Sequence, residues 1–288
     1  MRVANRYIFE SVKYNLGSIS EELSKANEIA TTGKRINSLS DDPVGLTQSL
    51  AIPSDLAGIE QIGRNIDYGN SWLSASESAL TSVQNIISDT KSLCVQMANG
   101  TIGADQRSAA AETVQNNLDE IVSLANTTVA GNYIFSGMKT DTTPFDQYGN
   151  YSGDNNAFTI KISKNSTIEI GSDGDAVFGT VFSTLIDLKD ALQDNDVGGI
   201  QDAMDNLDGN FDDITAKISD IGAKMNRMEI KDNIYQDLDF TNTERLSKIE
   251  DADIAGAIMN LKAAELTYQA ALASSSKVMT LTLVDYLK

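Results

Sequence analysis

The sequence predicts a mainly α-helical protein. It reads as a long helical bundle whose N- and C-terminal helices pair as a coiled coil, with a small inserted β region. Three observations predict this. Apolar residues recur at spacings of three and four along most of the chain, the period of one helix face. Between residues 131 and 180 that period gives way to seven glycines and short alternating runs. And the two ends of the 288-residue chain resemble each other in charge and in their narrow apolar stripes.

Residues 5–33 form the first predicted helix, with Ile8, Val12, Asn15, Ile19, Leu23, Ala26 and Ala30 on one face and Gly33 as its stop. The string Lys34-Arg35-Ile36-Asn37-Ser38-Leu39-Ser40-Asp41-Asp42-Pro43 follows. It ends on an acidic cap and a proline suited to a first helical position. A second helix is expected from there to about Asn99, with a break near Pro53. A third spans about 105–130, with Asp105 as its N-cap and Gly131 closing it. Phe158, Ile160 and Ile162, then Ile168 and Ile170, alternate as strands do, with a hairpin turn at 163–166. Helical period returns near 180, breaks at Gly198-Gly199, and runs on through about 200–243. The last helix starts near Asp251 and carries Ile254, Ile258, Leu261, Tyr268, Leu272, Met279, Leu283 and Leu287.

Narrow stripes at both ends are too weak to hold isolated helices in water. Pairing them buries both. On pattern alone, an ordinary antiparallel bundle that packs its termini on its own core fits equally well. Charge divides the chain in the same way. The net charge is −19, from 22 Lys and Arg against 41 Asp and Glu. Residues 1–50 hold six of each sign and 252–288 three of each, so the whole excess lies in 51–251. Neutral ends suit a crowded site where copies meet, since like charges would repel there.

Composition excludes several functions. There is no histidine, so His triads, His bases and His-ligated metals are ruled out. A single cysteine, Cys94, can form no intrachain disulfide, and its apolar helical setting points to a small buried residue. Strong negative charge disfavours nucleic acid and anionic membrane surfaces. No apolar run reaches the roughly 18 residues of a bilayer span, and the N-terminus lacks the apolar core of a cleaved signal peptide. Asp194 to Asp205 places Asp at positions 1, 3, 9 and 12 and Gly at 6, as a calcium loop would. Gly198 at position 5 and the short Asp205 at 12 favour a solvated helix break instead. Trp72 and Leu73 are expected to anchor a helix–helix contact. No catalytic motif and no cofactor site is legible, and the chain reads as a non-enzyme.

Several strings resemble the flagellin superfamily: TGKRINSLSDDPVG (Thr32–Gly45), NIDYGNSWLSASESAL (Asn65–Leu80) and VQMANGT (Val95–Thr101). NYIFSGMKTDTTPF (Asn132–Phe145), IGAKMNRME (Ile221–Glu229) and LKAAELTYQAALASSSKVMTLTLVDYL (Leu261–Leu287) are similar to its hook-associated protein 3 branch. The resemblance implies a structural part of the bacterial flagellum that joins hook to filament. Such proteins leave the cell through the flagellar type III apparatus, held before assembly by an export chaperone, and act outside the cell. Implied partners are further copies of the chain, hook-associated protein 1 and flagellin. Residues 1–45 and 252–288 become an inner coiled-coil assembly domain, and 46–251 an outer helical domain with its β region at about 131–180. The expected assembly interface comprises Ile8, Val12, Ile19 and Leu23, then Arg35, Ile36, Asn37, Asp41, Asp42 and Pro43. It continues on Leu261, Tyr268, Leu272, Met279, Leu283 and Leu287. Both termini are expected to gain helical order on assembly. A short flagellin, or a helical secretion-tip or adhesin-like binding module, is the rival reading.

Overall fold

The structure, a computed structural model, describes residues 2–280. It is mainly α-helical: α1 (Arg2–Thr32), α2 (Pro43–Met97), α3 (Ala104–Ala125), α4 (Gly174–Gln193), α5 (Val197–Glu250) and α6 (Ile254–Thr280). Two small antiparallel hairpins lie between α3 and α4, namely β1 (Thr128–Val129) with β2 (Asn132–Tyr133), and β3 (Thr159–Ser163) with β4 (Ser166–Glu169). The chain divides into two compact units. One runs up to Gly58 and resumes at Leu238; the other is Ile59–Asp237.

The Ile59–Asp237 unit owns a continuous apolar core. Leu73, Leu80, Val83 and Ile87 of α2 are buried with Val114, Leu118 and Ile121 of α3. The same cluster takes in Phe178, Leu185 and Leu188 of α4 and Leu207, Ile214 and Ile221 of α5. These positions are the three-and-four stripes of the sequence, turned inward. Trp72 is fully buried between Tyr68 and Phe158, with ring centroids 5.8 and 5.4 Å away, so it ties α2 to the entry of the second hairpin. Phe135 and Phe145 meet Phe178 edge-on at 4.8 and 5.8 Å, fastening the irregular 134–158 segment to α4. Gly137, within the Asn132–Phe145 string, has φ +66 and lies so close to the Asp154 carbonyl that a Cβ would collide with it. Only glycine meets both demands.

Several expected boundaries differ. Gly131 does not close α3, which ends at Ala125. Ala130 (φ 50) and Gly131 (φ 83) instead form the two-residue turn of the first hairpin, whose positive φ values match the strand twist. Asp105 sits in the first turn of α3, and the N-cap is Gly103. Pro53 lies inside an unbroken α2 with its ring exposed. The stretch 194–205 is no twelve-residue loop, because α5 starts at Val197. Asp196 accepts from the Gly198 N–H at 3.0 Å there, and among the described residues no three Asp, Glu or Cys gather as metal ligands. Cys94 is buried, as its pattern implied, and burial pushes its thiol up to about 11. Burial of this kind disfavours the thiolate at neutral pH.

Arg107 is a buried charge whose role the sequence hides. Its Nε donates to the Met97 carbonyl at 2.9 Å and one terminal nitrogen to the Asn99 carbonyl at 3.0 Å. The other donates to Asn195 Oδ1. The guanidinium thus satisfies carbonyls at the last residue of α2 and just beyond it, and pins the α4–α5 turn, where Asn195 has φ 55. Arg107→Met keeps the apolar stem and removes all three donors. We expect it to lower unfolding stability by about 3 kcal/mol in urea; a change under about 0.5 kcal/mol would contradict this clamp.

Candidate assembly interface

The unit that contains both chain ends is built around a short strap between α1 and α2. Helix α1 stops because Gly33 adopts φ +71, a left-handed conformation that costs glycine little. Its N–H still reaches the Ile29 carbonyl at 2.9 Å. The chain then turns alongside the α5–α6 connection. The Arg35 N–H donates to the Glu250 carbonyl at 2.7 Å, and the Ala252 N–H to the Gly33 carbonyl at 2.9 Å. Arg35 Nε adds a bond to the Ile249 carbonyl at 2.6 Å, and the Lys34 ammonium lies 2.5 Å from the Glu250 carboxylate.

Residues 37–43 wrap around one carboxylate. Asp41 Oδ2 accepts from the N–H groups of Asn37 and Ser38 at 3.2 and 3.0 Å and from the Ser38 hydroxyl at 3.1 Å. Its Oδ1 lies 2.6 Å from the Lys25 ammonium of α1. The Lys25 contact, followed by the two N–H donors, holds the Asp41 carboxyl well below the usual carboxylate range. Asp41 in turn raises Lys25. Asn37 Nδ2 donates to the Lys34 carbonyl at 2.9 Å, tightening the same turn. Ile36 is buried, and its Cδ1 occupies the space a Cβ on Gly45 would need. Asp42 Oδ1 accepts from the Gly45 N–H at 2.9 Å, so Asp42 is the N-cap and Pro43 the first helical residue of α2.

Beyond this strap α1 and α6 run antiparallel, since the end of α1 and the start of α6 meet there and the two helices pack together. On α1 the seam residues are Val12, Leu16, Ile19, Leu23, Ala26 and Ala30, all partly buried at alternating spacings of four and three. On α6 they are Ala257, Leu261, Ala264, Tyr268, Ala271 and Ser275, with the same alternation. Only Ala257 of the twelve is fully buried. Val12, Ile19, Leu23, Leu261 and Tyr268, expected at an assembly interface, lie on this seam. Ile8 and Leu272, expected with them, are 44% and 45% exposed within the single chain. On α6 the facing positions near Leu272 belong to Ala271 and Ser275. Leu283 and Leu287 lie outside the described residues, as does the side chain of Met279.

Several other large apolar residues of α6 are solvent-exposed: Ile254, Ile258, Met259, Leu266, Leu272 and Val278 are all more than 40% exposed. Tyr7, Phe9 and Tyr14 of α1 are likewise exposed. Sequence reasoning missed Lys25, Gly45 and Glu250, whose partners become neighbours only through folding. The unit offers packing faces and a hydrogen-bonded strap.

The strap's pH response follows from these shifts. The lowered Asp41 contributes stability above about pH 4, lost only as pH falls well below that; the raised Lys25 contributes below about pH 10.5. Acidification from pH 7 to about pH 4 should therefore leave the Asn37 and Ser38 amides protected from hydrogen exchange. Asp41→Ala should expose both at neutral pH; unchanged protection in the variant would contradict the wrap.

Comparison with known proteins matches this architecture. Residues 4–140 match the bacterial flagellin N-terminal helical region, and 204–287 the bacterial flagellin C-terminal helical region. The chain is 25% identical to flagellar hook-associated protein 3 of Escherichia coli K12, across 94% of this chain and 96% of that protein. The crystal structure of Bacillus cereus FlgL superposes with a TM-score of 0.62 at 26% identity, over 68% of this chain and 99% of that one. A phase 1 flagellin of Salmonella naestved is 31% identical, over 62% of this chain but only 35% of the flagellin. With both terminal flagellin regions in place around a helical fold, the chain belongs to the flagellin family of bacterial flagellar structural proteins.

Proposed function

We infer that this chain joins the flagellar hook to the filament, assembling with further copies of itself between hook-associated protein 1 and flagellin. One observation carries the reading over that of a filament protomer. The likeness to hook-associated protein 3 runs end to end on both chains, whereas the likeness to flagellin leaves most of the flagellin unmatched. The geometry supports assembly as its working principle. The seam between α1 and α6 is only partly buried, and large apolar residues on α6 have solvent where a neighbour would sit. Burying one Leu or Ile is worth roughly 1.5–3 kcal/mol, so several such contacts exceed the roughly 2–5 kcal/mol cost of ordering a segment on binding.

On this reading the interface comprises Val12, Ile19, Leu23, Leu261 and Tyr268 in the seam, and Ile8 and Leu272 at its free margins. Met279, Leu283 and Leu287 extend it toward the chain end. Arg35, Ile36, Asn37, Asp41, Asp42 and Pro43 set the strap that leads from this unit into α2. The acidic middle stays solvated outside, and the neutral ends pack without mutual repulsion. The protein acts outside the cell after type III export, with a chaperone holding it beforehand, and does no catalysis of its own.

Deletion of the gene tests this. Loss of a junction protein should leave hooks intact while unpolymerised flagellin leaks into the medium. Absence of filament with no leaked flagellin would instead mark the chain as the filament protomer and overturn the reading.

A further inference from the structure

The α1–α6 pair carries a hollow on one side and projections on another. Glu22, Lys25, Ala26 and Ile29 of α1, with Ala257 and Asn260 of α6, line a groove of about 220 Å³. Its depth comes from side-chain size. Ala26 and Ala257 present single methyl groups where the seam further along holds Leu23 and Leu261. Ile29 adds an apolar wall, and Glu22, Lys25 and Asn260 supply an acid, a base and an amide at the edge.

Met259 and Leu266, seven residues apart on α6, are 67% and 71% exposed. At 3.6 residues per turn they lie on the side of α6 opposite Ala257 and Ala264. They point away from the groove, so no chain can fill its own hollow with them. Leu266 is flanked by Lys262 and Glu265, which pair with each other at 2.8 Å. The base at the hollow, Lys25, is paired with Asp41, as Lys262 beside the projection is paired with Glu265, so neither patch presents an unpaired base to the other.

We propose that Leu266 of one copy, with Met259 beside it, seats in this groove of a second copy of the chain. The occupant is another copy because hollow and projection belong to the same neutral segments. Residues 1–50 and 252–288 carry equal numbers of acids and bases, while the rest of the chain holds the whole charge of −19. These segments can approach their own kind without the repulsion that any docking of the acidic middle would meet. Groove and projection are different patches, so the contact is heterologous. It repeats from copy to copy into a ring or helical array and does not close a two-fold dimer. The inference rests on the reading that copies assemble in the flagellum, and it names the side chains through which they meet.

Disulfide trapping in the assembled state tests it. Two full-length copies with different tags are co-expressed in the parent bacterium, one carrying Asn260→Cys and the other Leu266→Cys. Both positions are exposed, and the buried Cys94 adds no background. Mild oxidation of isolated flagella should give a dimer containing both tags, lost when Tyr148→Cys replaces Leu266→Cys. Equal yields from the two pairings, or no mixed dimer from copies that are both present in the flagella, would overturn the contact. Absence of even the unaltered chain from isolated flagella would instead overturn the assembly reading beneath it. In a second arm, Leu266→Asp should unfold at the parental temperature yet be lost from the flagella. Incorporation at the parental level would also overturn the contact.

Discussion

Two backbone hydrogen bonds, from Arg35 to Glu250 and from Ala252 to Gly33, bring together segments of the chain more than 200 residues apart. Every feature of the terminal unit depends on that closure. Gly33 ends α1 in a left-handed turn, and the strap it opens lies beside the α5–α6 connection. α1 and α6 leave this point antiparallel, which sets the register of Val12 to Ala30 against Ala257 to Ser275. The Asp41 carboxylate then folds the strap back toward Lys25 of α1, and Asp42 caps α2 one residue later. The net worth of each exposed ion pair is small. Their effect is directional, because each removes alternative paths for the chain between α1 and α2.

The two units differ in how they are held. The Ile59–Asp237 unit has a buried core from four helices and a cluster of aromatic rings, closed at one end by Arg107. It satisfies its own apolar stripes. The terminal unit does not. Its seam mixes small and large residues on both helices, and α6 leaves most of its bulky apolar side chains exposed. A structural protein that must add to a growing assembly benefits from this contrast. One part can be stable before the other has all its contacts.

Much of this was legible in the sequence because helical period and capping chemistry are local. The stripe from Ile19 to Ala30, the stop at Gly33, the Asp42–Pro43 start and the second hairpin all follow from nearest neighbours in the chain, whereas Leu16 and not Asn15 takes the seam position before Ile19. Errors arose where one residue type serves two local structures. Gly131 reads as a helix stop in the sequence, yet the same glycine preference marks a two-residue hairpin turn. The apolar period of α6 follows bulky residues such as Leu272, while Ala257, Ala264 and Ala271 take the positions on the seam with α1. Arg107, Lys25 and Glu250 left no signal, since an exposed-looking charge gains its partner only when distant segments meet.

The central claim is that closure at Gly33 and Ala252 brings the terminal helices together, while assembly completes their packing. Hydrogen exchange measured on the free full-length chain and on the same chain within isolated flagella tests it most directly. The account predicts weaker protection over residues 12–30 and 257–275 than over 72–94 in the free chain. In the flagellum the terminal segments become as slow as 72–94. Terminal amides as slow as those of 72–94 in the free chain, or still rapid in the flagellum, would contradict it.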